Sequence, residues 1–395
     1  MTVIITETVL TLVVEMKTNC NMKRKNLDII MAGVRSCTGS CIYCASANQK
    51  DMWRGSLVES TSIKSSEEVQ FNFDALEKKM VEHMGQNKYW EVHIWGADPL
   101  SSFYALTDTV DFIEWFAEKH GYDIQIDTST NGAPLISDEV TQYLIDHNIY
   151  LQLSHDGVAE ELRLPYDPLV EYKANFERLP YVYLNCVAHY YNCDFQKNID
   201  YFKQFNFLGE KRFSKPMVGA NTSNAINTKG FRNGNYYEHL KNTPFGDFGI
   251  RNTEDDPHLI QEYIRWAFTI LPHTPGWRFN IGVHNAIIYN SHEPGCGAFA
   301  KGIKDYSFHI DTLGNYTTCN LADSMGFLGN PNIKPQFKEC YNCRYKYSQV
   351  CSGCALNPTE DTVHDKCEFN YALNVALELS KTNAQKTNNI EKRKQ

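Results

Sequence analysis

The chain has 395 residues, of which 42% are hydrophobic, so it can bury a full core, and an α/β barrel could take up most of it. Its formal net charge of −9 leaves no basic surface for phosphate backbones, so nucleic acid is not an expected partner. Residues 1–16 are apolar but interrupted by Glu7 and Glu15, which predicts neither a secretory signal nor a membrane span. The thirteen cysteines of a chain predicted to be cytoplasmic favour metal ligands over disulfides.

Strand-like and helix-like patterns alternate along most of the chain. Residues 1–26 predict an N-terminal strand and a polar connector, after which six strand-then-helix alternations indicate parallel βαβ units. The predicted strands are residues 27–33, 91–95, 123–128, 150–154, 181–188 and 212–218, and the predicted helices include 74–84, 107–120 and 138–146. We therefore predict a partial (β/α)6 TIM-like barrel, whose site would lie at the carboxyl ends of the strands.

The first predicted strand runs into a loop with three closely spaced cysteines. Cys37, Cys41 and Cys44 have spacings of four and three, and Tyr43 precedes the last of them. Three such thiolates can hold three corners of an iron–sulfur cluster and leave one iron open to a cofactor or substrate. Spacing alone also allows a chance group of thiols or half of a zinc site.

Small polar turns containing glycine follow the next three predicted strands. They are Gly-Ala-Asp-Pro at 96–99, Ser-Thr-Asn-Gly at 129–132 and Ser-His-Asp-Gly at 154–157. Each by itself is compatible with a plain turn between a strand and a helix. Because parallel strands end at one edge of a sheet, together they predict a ring of donors and acceptors beside the cysteines.

In this order, the four motifs resemble the signature of the radical S-adenosylmethionine superfamily. The resemblance implies a four-iron four-sulfur (4Fe-4S) cluster on Cys37, Cys41 and Cys44, whose open iron chelates S-adenosylmethionine. It also implies reductive cleavage of that cofactor to a 5′-deoxyadenosyl radical, which abstracts hydrogen from a substrate. By resemblance, the cofactor-binding residues are Tyr43, Gly96, Ala97, Asp98, Pro99, Ser129, Asn131, Ser154, Asp156 and Arg163.

One of the four motifs departs from the family pattern. Ala97 and Asp98 replace the second Gly and the Glu of the family's Gly-Gly-Glu-Pro element, which receives the cofactor's amino group. Arg163 is expected to pair with the cofactor's carboxylate. His155 and Asp156 suit a cofactor pocket or a plain turn, so the catalytic acid and base stay unassigned.

A second group of seven cysteines lies near the C-terminal end of the sequence. Spacing alone fits a structural zinc site, but seven cysteines exceed one tetrahedral site and nearly complete two four-ligand clusters. The seven are Cys296, Cys319, Cys340, Cys343, Cys351, Cys354 and Cys367. A region this poor in aliphatic residues would need metal to hold its fold.

This second group resembles the SPASM extension of radical S-adenosylmethionine enzymes, which carries two auxiliary 4Fe-4S clusters after a hairpin, here expected around Gly314. The resemblance implies three clusters in all. It assigns Cys296, Cys319 and Cys354 to the nearer auxiliary cluster, and Cys340, Cys343, Cys351 and Cys367 to the farther one. The spacing departs from the common pattern, which leaves the partition of Cys351 and Cys354 open. The nearer cluster is one ligand short. Either His309, Asp311 or another oxygen or nitrogen donor fills that position, or it stays open, and we expect it to be open.

Five regions follow from these assignments. They are an N-terminal strand and connector (1–26), a radical S-adenosylmethionine barrel (27–240), a helical bridge (241–290), a SPASM domain (291–372), and a helical end with a disordered tail (373–395).

The resemblance implies an oxidoreductase-type enzyme that most often modifies a ribosomal peptide, forming a thioether, a carbon–carbon crosslink or an oxidised residue. A small metabolite or nucleoside is the alternative substrate. A sulfatase-type maturase is disfavoured because that group has an Asp that acts as the base at this position, and this chain has Asn320, whose amide cannot accept the proton. A non-enzymatic zinc-binding protein is the alternative of another class. Expected partners are an electron donor such as flavodoxin or ferredoxin and, since few residues precede Cys37, a separate peptide-recognition protein.

Overall fold

The described part of this computed structural model forms a single nine-stranded sheet. It comprises residues 25–34, 36–39, 41, 69–187, 192, 194–214, 277–279 and 308–317. The strands are β1 (Lys25–Ile30), β2 (Tyr89–Trp95), β3 (Asp123–Thr130), β4 (Tyr150–Ser154), β5 (Val182–Val187), β6 (Leu208–Ser214), β7 (Trp277–Phe279), β8 (Phe308–Asp311) and β9 (Tyr316–Thr317). Their spatial order is β7-β6-β5-β4-β3-β2-β1-β8-β9. Every neighbouring pair is parallel except β8 and β9.

Helices follow the strands, as the alternating pattern predicts. They are α1 (Phe73–Met84), α2 (Phe103–His120), α3 (Asp138–Asp146), α4 (Pro168–Glu171), α5 (Lys173–Phe176) and α6 (Phe195–Phe202). Ser137 caps α3 by accepting a hydrogen bond from the Val140 amide, a typical N-cap arrangement. Gly121 ends α2 in the left-handed conformation with a φ of 66°, which confirms the predicted stop.

The predicted architecture is confirmed. All six predicted strands are present as β1 to β6, in the order expected of consecutive βαβ units. Within the described residues the sheet does not close, which agrees with a partial barrel. Several strand bounds differ from the predicted ones. β1 starts at Lys25, inside the predicted connector, because Lys25 and Asn26 pair with Trp90 and Glu91 of β2. β2 and β6 also start earlier than predicted, at Tyr89 and Leu208.

The hairpin predicted around Gly314 joins β8 to β9 and lies beside β1. Thr312 holds it there, because its hydroxyl accepts from the Ala32 amide at 3.0 Å and donates to the Gln70 carbonyl at 2.6 Å. Gly314 has a φ of 81°, and a Cβ there would stand 2.7 Å from the Ala75 backbone. A larger residue would therefore push the hairpin away from α1.

The two faces of the sheet differ in chemistry. Alternate strand residues on one face are buried and apolar and pack with the helices in one core. They include Leu27, Ile29, Val92, Ile94, Leu151, Leu153 and Leu184. The intervening residues on the opposite face include Asp28, His93, Asp127, Gln152 and Tyr183. None of the described helices is long and apolar enough to cross a membrane.

Candidate active site at the carboxyl ends of the strands

Cys37 and Cys41 lie in the loop after β1, and their sulfurs converge on Gly39. A Cβ on Gly39 would stand 3.6 Å from each of the two sulfurs, so glycine leaves room between them. The Gly39 amide donates to Cys37 Sγ at 3.3 Å. The loop therefore presents two thiols to one point, as ligands of a shared metal group require.

Asp98, in the loop after β2, ties three strand-end loops together. Its carboxylate accepts from the hydroxyl of Thr130, the last residue of β3, at 3.0 Å and from the backbone N–H of Asn131, the next residue, at 3.0 Å. Its own amide donates to the Ser36 carbonyl at 3.0 Å, just before Cys37. Burial raises the pKa of Asp98 to about 6, although the hydrogen bonds from Asn131 and Thr130 favour the carboxylate. Gly96, Ala97 and Pro99 stand in the same loop.

Arg163 reaches Cys41 from the segment after β4. Its Nε donates to Cys41 Sγ at 3.2 Å, and the side chain is 3% exposed. Burial raises the pKa of the Cys41 thiol, while the Arg163 guanidinium acts in the opposite direction and favours the thiolate. The arginine predicted to bind the cofactor's carboxylate thus has one donor directed at a predicted cluster ligand.

Acidic side chains surround Arg163. Its Nη1 lies 3.5 Å from Glu160 Oε2, and its Nε lies 3.9 Å from Asp156 Oδ2. Burial raises the pKa of Glu160 to about 7, against the favourable charges of Arg163 and His155. His155 is itself fully buried and accepts from the Gly157 amide at 3.0 Å, which favours a structural role for it in this turn.

Ser129 lies near the end of β3 and Asn131 directly follows the strand, and the two side chains have different partners. The side-chain nitrogen of Asn131, Nδ2, donates to Thr38 Oγ1 at 2.8 Å and lies 3.8 Å from Cys37 Sγ. Ser129 Oγ instead accepts from Gln152 Nε2 at 2.6 Å and shares a hydrogen bond with His93 Nε2 at 2.8 Å. Ser154 is half-buried at the end of β4.

A buried polar row runs across the sheet below these loops. It is defined as Asp28, His93, Asp127, Ser129, Gln152, Tyr183 and His309, of which all but the half-buried Tyr183 are buried. His93 Nδ1 lies 2.7 Å from Asp127 Oδ2, which also accepts from the Tyr183 hydroxyl. Asp28 Oδ2 lies 2.6 Å from His309 Nδ1. Burial lowers the pKa of His93, but the Asp127 carboxylate reverses this and holds that pKa above its ordinary value.

Apart from Ser129, and from His309 as an alternative cluster ligand, the residues of the polar row were not singled out in the sequence. The signal was present, since residues 91–95 and 123–127 alternate polar and apolar side chains, which predicts one polar face. Which polar side chains meet depends on strand register, and register is set by packing between distant segments.

The described residues fit part of an iron–sulfur site. Two converging thiols and three N–H donors suit a cluster whose sulfurs carry negative charge. No group of three or more His, Cys, Asp and Glu side chains forms a metal site among the residues that the structure describes. The remaining predicted ligands lie outside them, as does Tyr43. These ligands are Cys44, Cys296, Cys319, Cys340, Cys343, Cys351, Cys354 and Cys367.

Solved structures of two proteins resemble this chain. The protein anSMEcpe, with bound AdoMet and Cp18Cys peptide, has a TM-score of 0.51 and 14% identity over 90% of this chain and 99% of its own. A histidine-tagged form of anSMEcpe with bound AdoMet scores 0.50 at 16% identity, over 89% and 95%. SuiB of Streptococcus suis, bound to precursor peptide SuiA, scores 0.47 at 13% identity, over 89% and 76%.

The anSMEcpe matches show a shared fold. The protein anSMEcpe is a radical S-adenosylmethionine protein with a SPASM domain, so the fold agrees with the architecture predicted from the cysteine motifs. No family model matches the sequence, and no curated protein does.

Proposed function

We propose that the chain is a radical S-adenosylmethionine enzyme that modifies a peptide. The observation that carries this proposal is the convergence of Cys37 and Cys41 with Asn131 and Arg163 at the strand ends. The fold shared with anSMEcpe, solved with AdoMet and a peptide, supports the cofactor and the substrate class.

In this proposal, Cys37, Cys41 and Cys44 hold a cluster that supplies the electron for cleavage of S-adenosylmethionine. The chain's own groups hold that site in place. Asp98 fixes the loop after β2 against Thr130 and Asn131, and its backbone N–H donates to the Ser36 carbonyl beside the cysteine loop. Arg163, Asp156 and Glu160 form a buried charged group that keeps the segment after β4 against Cys41.

The proposal extends to the second cysteine group as two auxiliary clusters, and to an external electron donor. Three clusters predict about twelve iron atoms per chain after anaerobic reconstitution. With dithionite and S-adenosylmethionine, the reconstituted protein should form 5′-deoxyadenosine.

The Cys41→Ser variant should lose about four of those iron atoms and stop forming 5′-deoxyadenosine. The matched control is Cys186→Ser, since Cys186 is a buried cysteine of β5 outside the predicted ligands and should keep both. Near-stoichiometric zinc without 5′-deoxyadenosine in the wild type would contradict the enzyme and favour the zinc-binding alternative.

A further inference from the structure

The two described cysteine sulfurs receive three N–H groups, two of them from loops far along the chain. Gly39 N donates to Cys37 Sγ at 3.3 Å, and Asn131 Nδ2 lies 3.8 Å from the same sulfur. Arg163 Nε donates to Cys41 Sγ at 3.2 Å. The loops after β3 and β4 therefore act on the cysteines directly.

The strongest of these donors is charged and shielded from water. Arg163 is 3% exposed, so its charge is screened far less than that of a surface arginine. Glu160 is also 3% exposed, and its Oε2 lies 3.5 Å from Arg163 Nη1. Glu160 thus offsets part of the positive charge that Arg163 presents to Cys41.

We propose that Arg163 and Asn131 are positioning residues that set the reduction potential of the cluster on Cys37 and Cys41, with Glu160 moderating the effect of Arg163. This inference rests on the proposed function. Reduction adds one electron to the cluster, with no bond made or broken, and the added negative charge spreads onto its sulfurs. N–H donors and a nearby cation stabilise that reduced state and raise the potential.

The roles of the two charged residues predict shifts of opposite sign. In Arg163→Gln the cation is lost, so the reduced form becomes less favourable. In Glu160→Gln the charge of Arg163 is no longer offset, so the reduced form becomes more favourable. The side-chain oxygen of the introduced glutamine can still accept from the Asp156 backbone N–H, which donates to Glu160 Oε2 at 2.6 Å in the wild type. General damage to the loop would not produce opposite shifts.

The test is a potentiometric titration of the anaerobically reconstituted full chain with dithionite, followed by electron paramagnetic resonance, at about pH 8, where Glu160 is ionised. The relevant cluster is the one whose signal disappears in Cys41→Ser. At a fixed potential, the ratio of reduced to oxidised cluster should fall about tenfold in Arg163→Gln, a shift of about 59 mV for one electron. The ratio should rise in Glu160→Gln and fall by a smaller factor in Asn131→Leu.

Arg178→Gln is the matched control. Arg178 is an exposed arginine that bonds Asp138 and Gln142 on α3, and its loss should leave the ratio unchanged. A wild-type ratio in Arg163→Gln, at wild-type iron content, would overturn the inference and leave the proposed function intact.

If Arg163→Gln fails to assemble the cluster, Glu160→Gln decides the matter, because a fall or no change there contradicts the inference. A wild-type chain that assembles no cluster would overturn the proposed function, and this inference with it.

Discussion

The two faces of the sheet are formed by the same strands but carry different kinds of residue. On the helix-covered face, residues such as Val92, Ile94 and Leu151 are fully buried in the apolar core. On the opposite face, intervening residues of the same strands form the buried polar row, in which His93 bonds both Asp127 and Ser129.

Parallel strands covered on both faces normally read as continuous apolar runs. In these strands, polar and apolar residues alternate instead. Burying an ionisable group costs free energy unless the group is paired, so the polar face persists although its desolvation is unfavourable. Asp127 Oδ1 and Trp95 Nε1 are buried on this face with no hydrogen-bond partner among the described residues. The comparison indicates that the helix-covered face stabilises the fold, whereas the polar face holds paired ionisable groups below the loops of the candidate site.

The largest effect on stability should come from the helix-covered face. Leu151→Ala removes a fully buried side chain of β4 and should lower the free energy of unfolding by about 3 kcal/mol, through lost burial and a cavity. Urea unfolding followed by circular dichroism measures this change. The control is Val170→Ala, since Val170 is 56% exposed and its loss should have little effect. Equal losses in both variants would contradict the division between the faces.

A smaller loss, of about 2 kcal/mol, is expected from Asp127→Asn on the polar face, because the amide keeps the shape but not the charge that His93 faces. The sign of its pH dependence is the sharper test. A raised folded-state pKa makes His93 stabilising below its unfolded pKa of about 6.5, and this stabilisation disappears as the pH rises through the folded-state value.

In Asp127→Asn, burial should dominate the pKa of His93, although Asp28 and Glu91 still favour the charged form. The difference in unfolding free energy between wild type and variant should therefore be largest near pH 6 and shrink towards pH 8. Unfolding curves across this range, with a nuclear magnetic resonance titration of His93, measure it. A difference that grows with pH would show that His93 is held neutral instead.

The smallest effect is expected at Ser129, where the polar row meets the strand ends. Ser129→Ala removes the hydroxyl shared by His93 and Gln152 and should cost about 1 kcal/mol of unfolding free energy. If Ser129 also binds the cofactor, 5′-deoxyadenosine formation should fall by more than this stability loss explains. Unchanged formation would limit Ser129 to the polar row.

Much of the fold could be predicted from residue patterns. The six strands, the helix stop at Gly121 and the position of Cys37 and Cys41 after β1 depend on local period and turn chemistry, which a sequence displays directly. The hairpin at Gly314 was also predictable, but its place beside β1 was not. That place depends on Thr312 bonding Ala32, 280 positions away.

Residue patterns were enough to predict six strands, several helices and the loops that carry the cysteines and polar motifs, because these are properties of neighbouring residues. The hydrogen bond from Arg163 to Cys41, 122 positions away, and the position of His93 between Asp127 and Ser129 are known only from the folded structure. These contacts depend on strand register and on the packing of distant segments, where no local pattern distinguishes one polar partner from another.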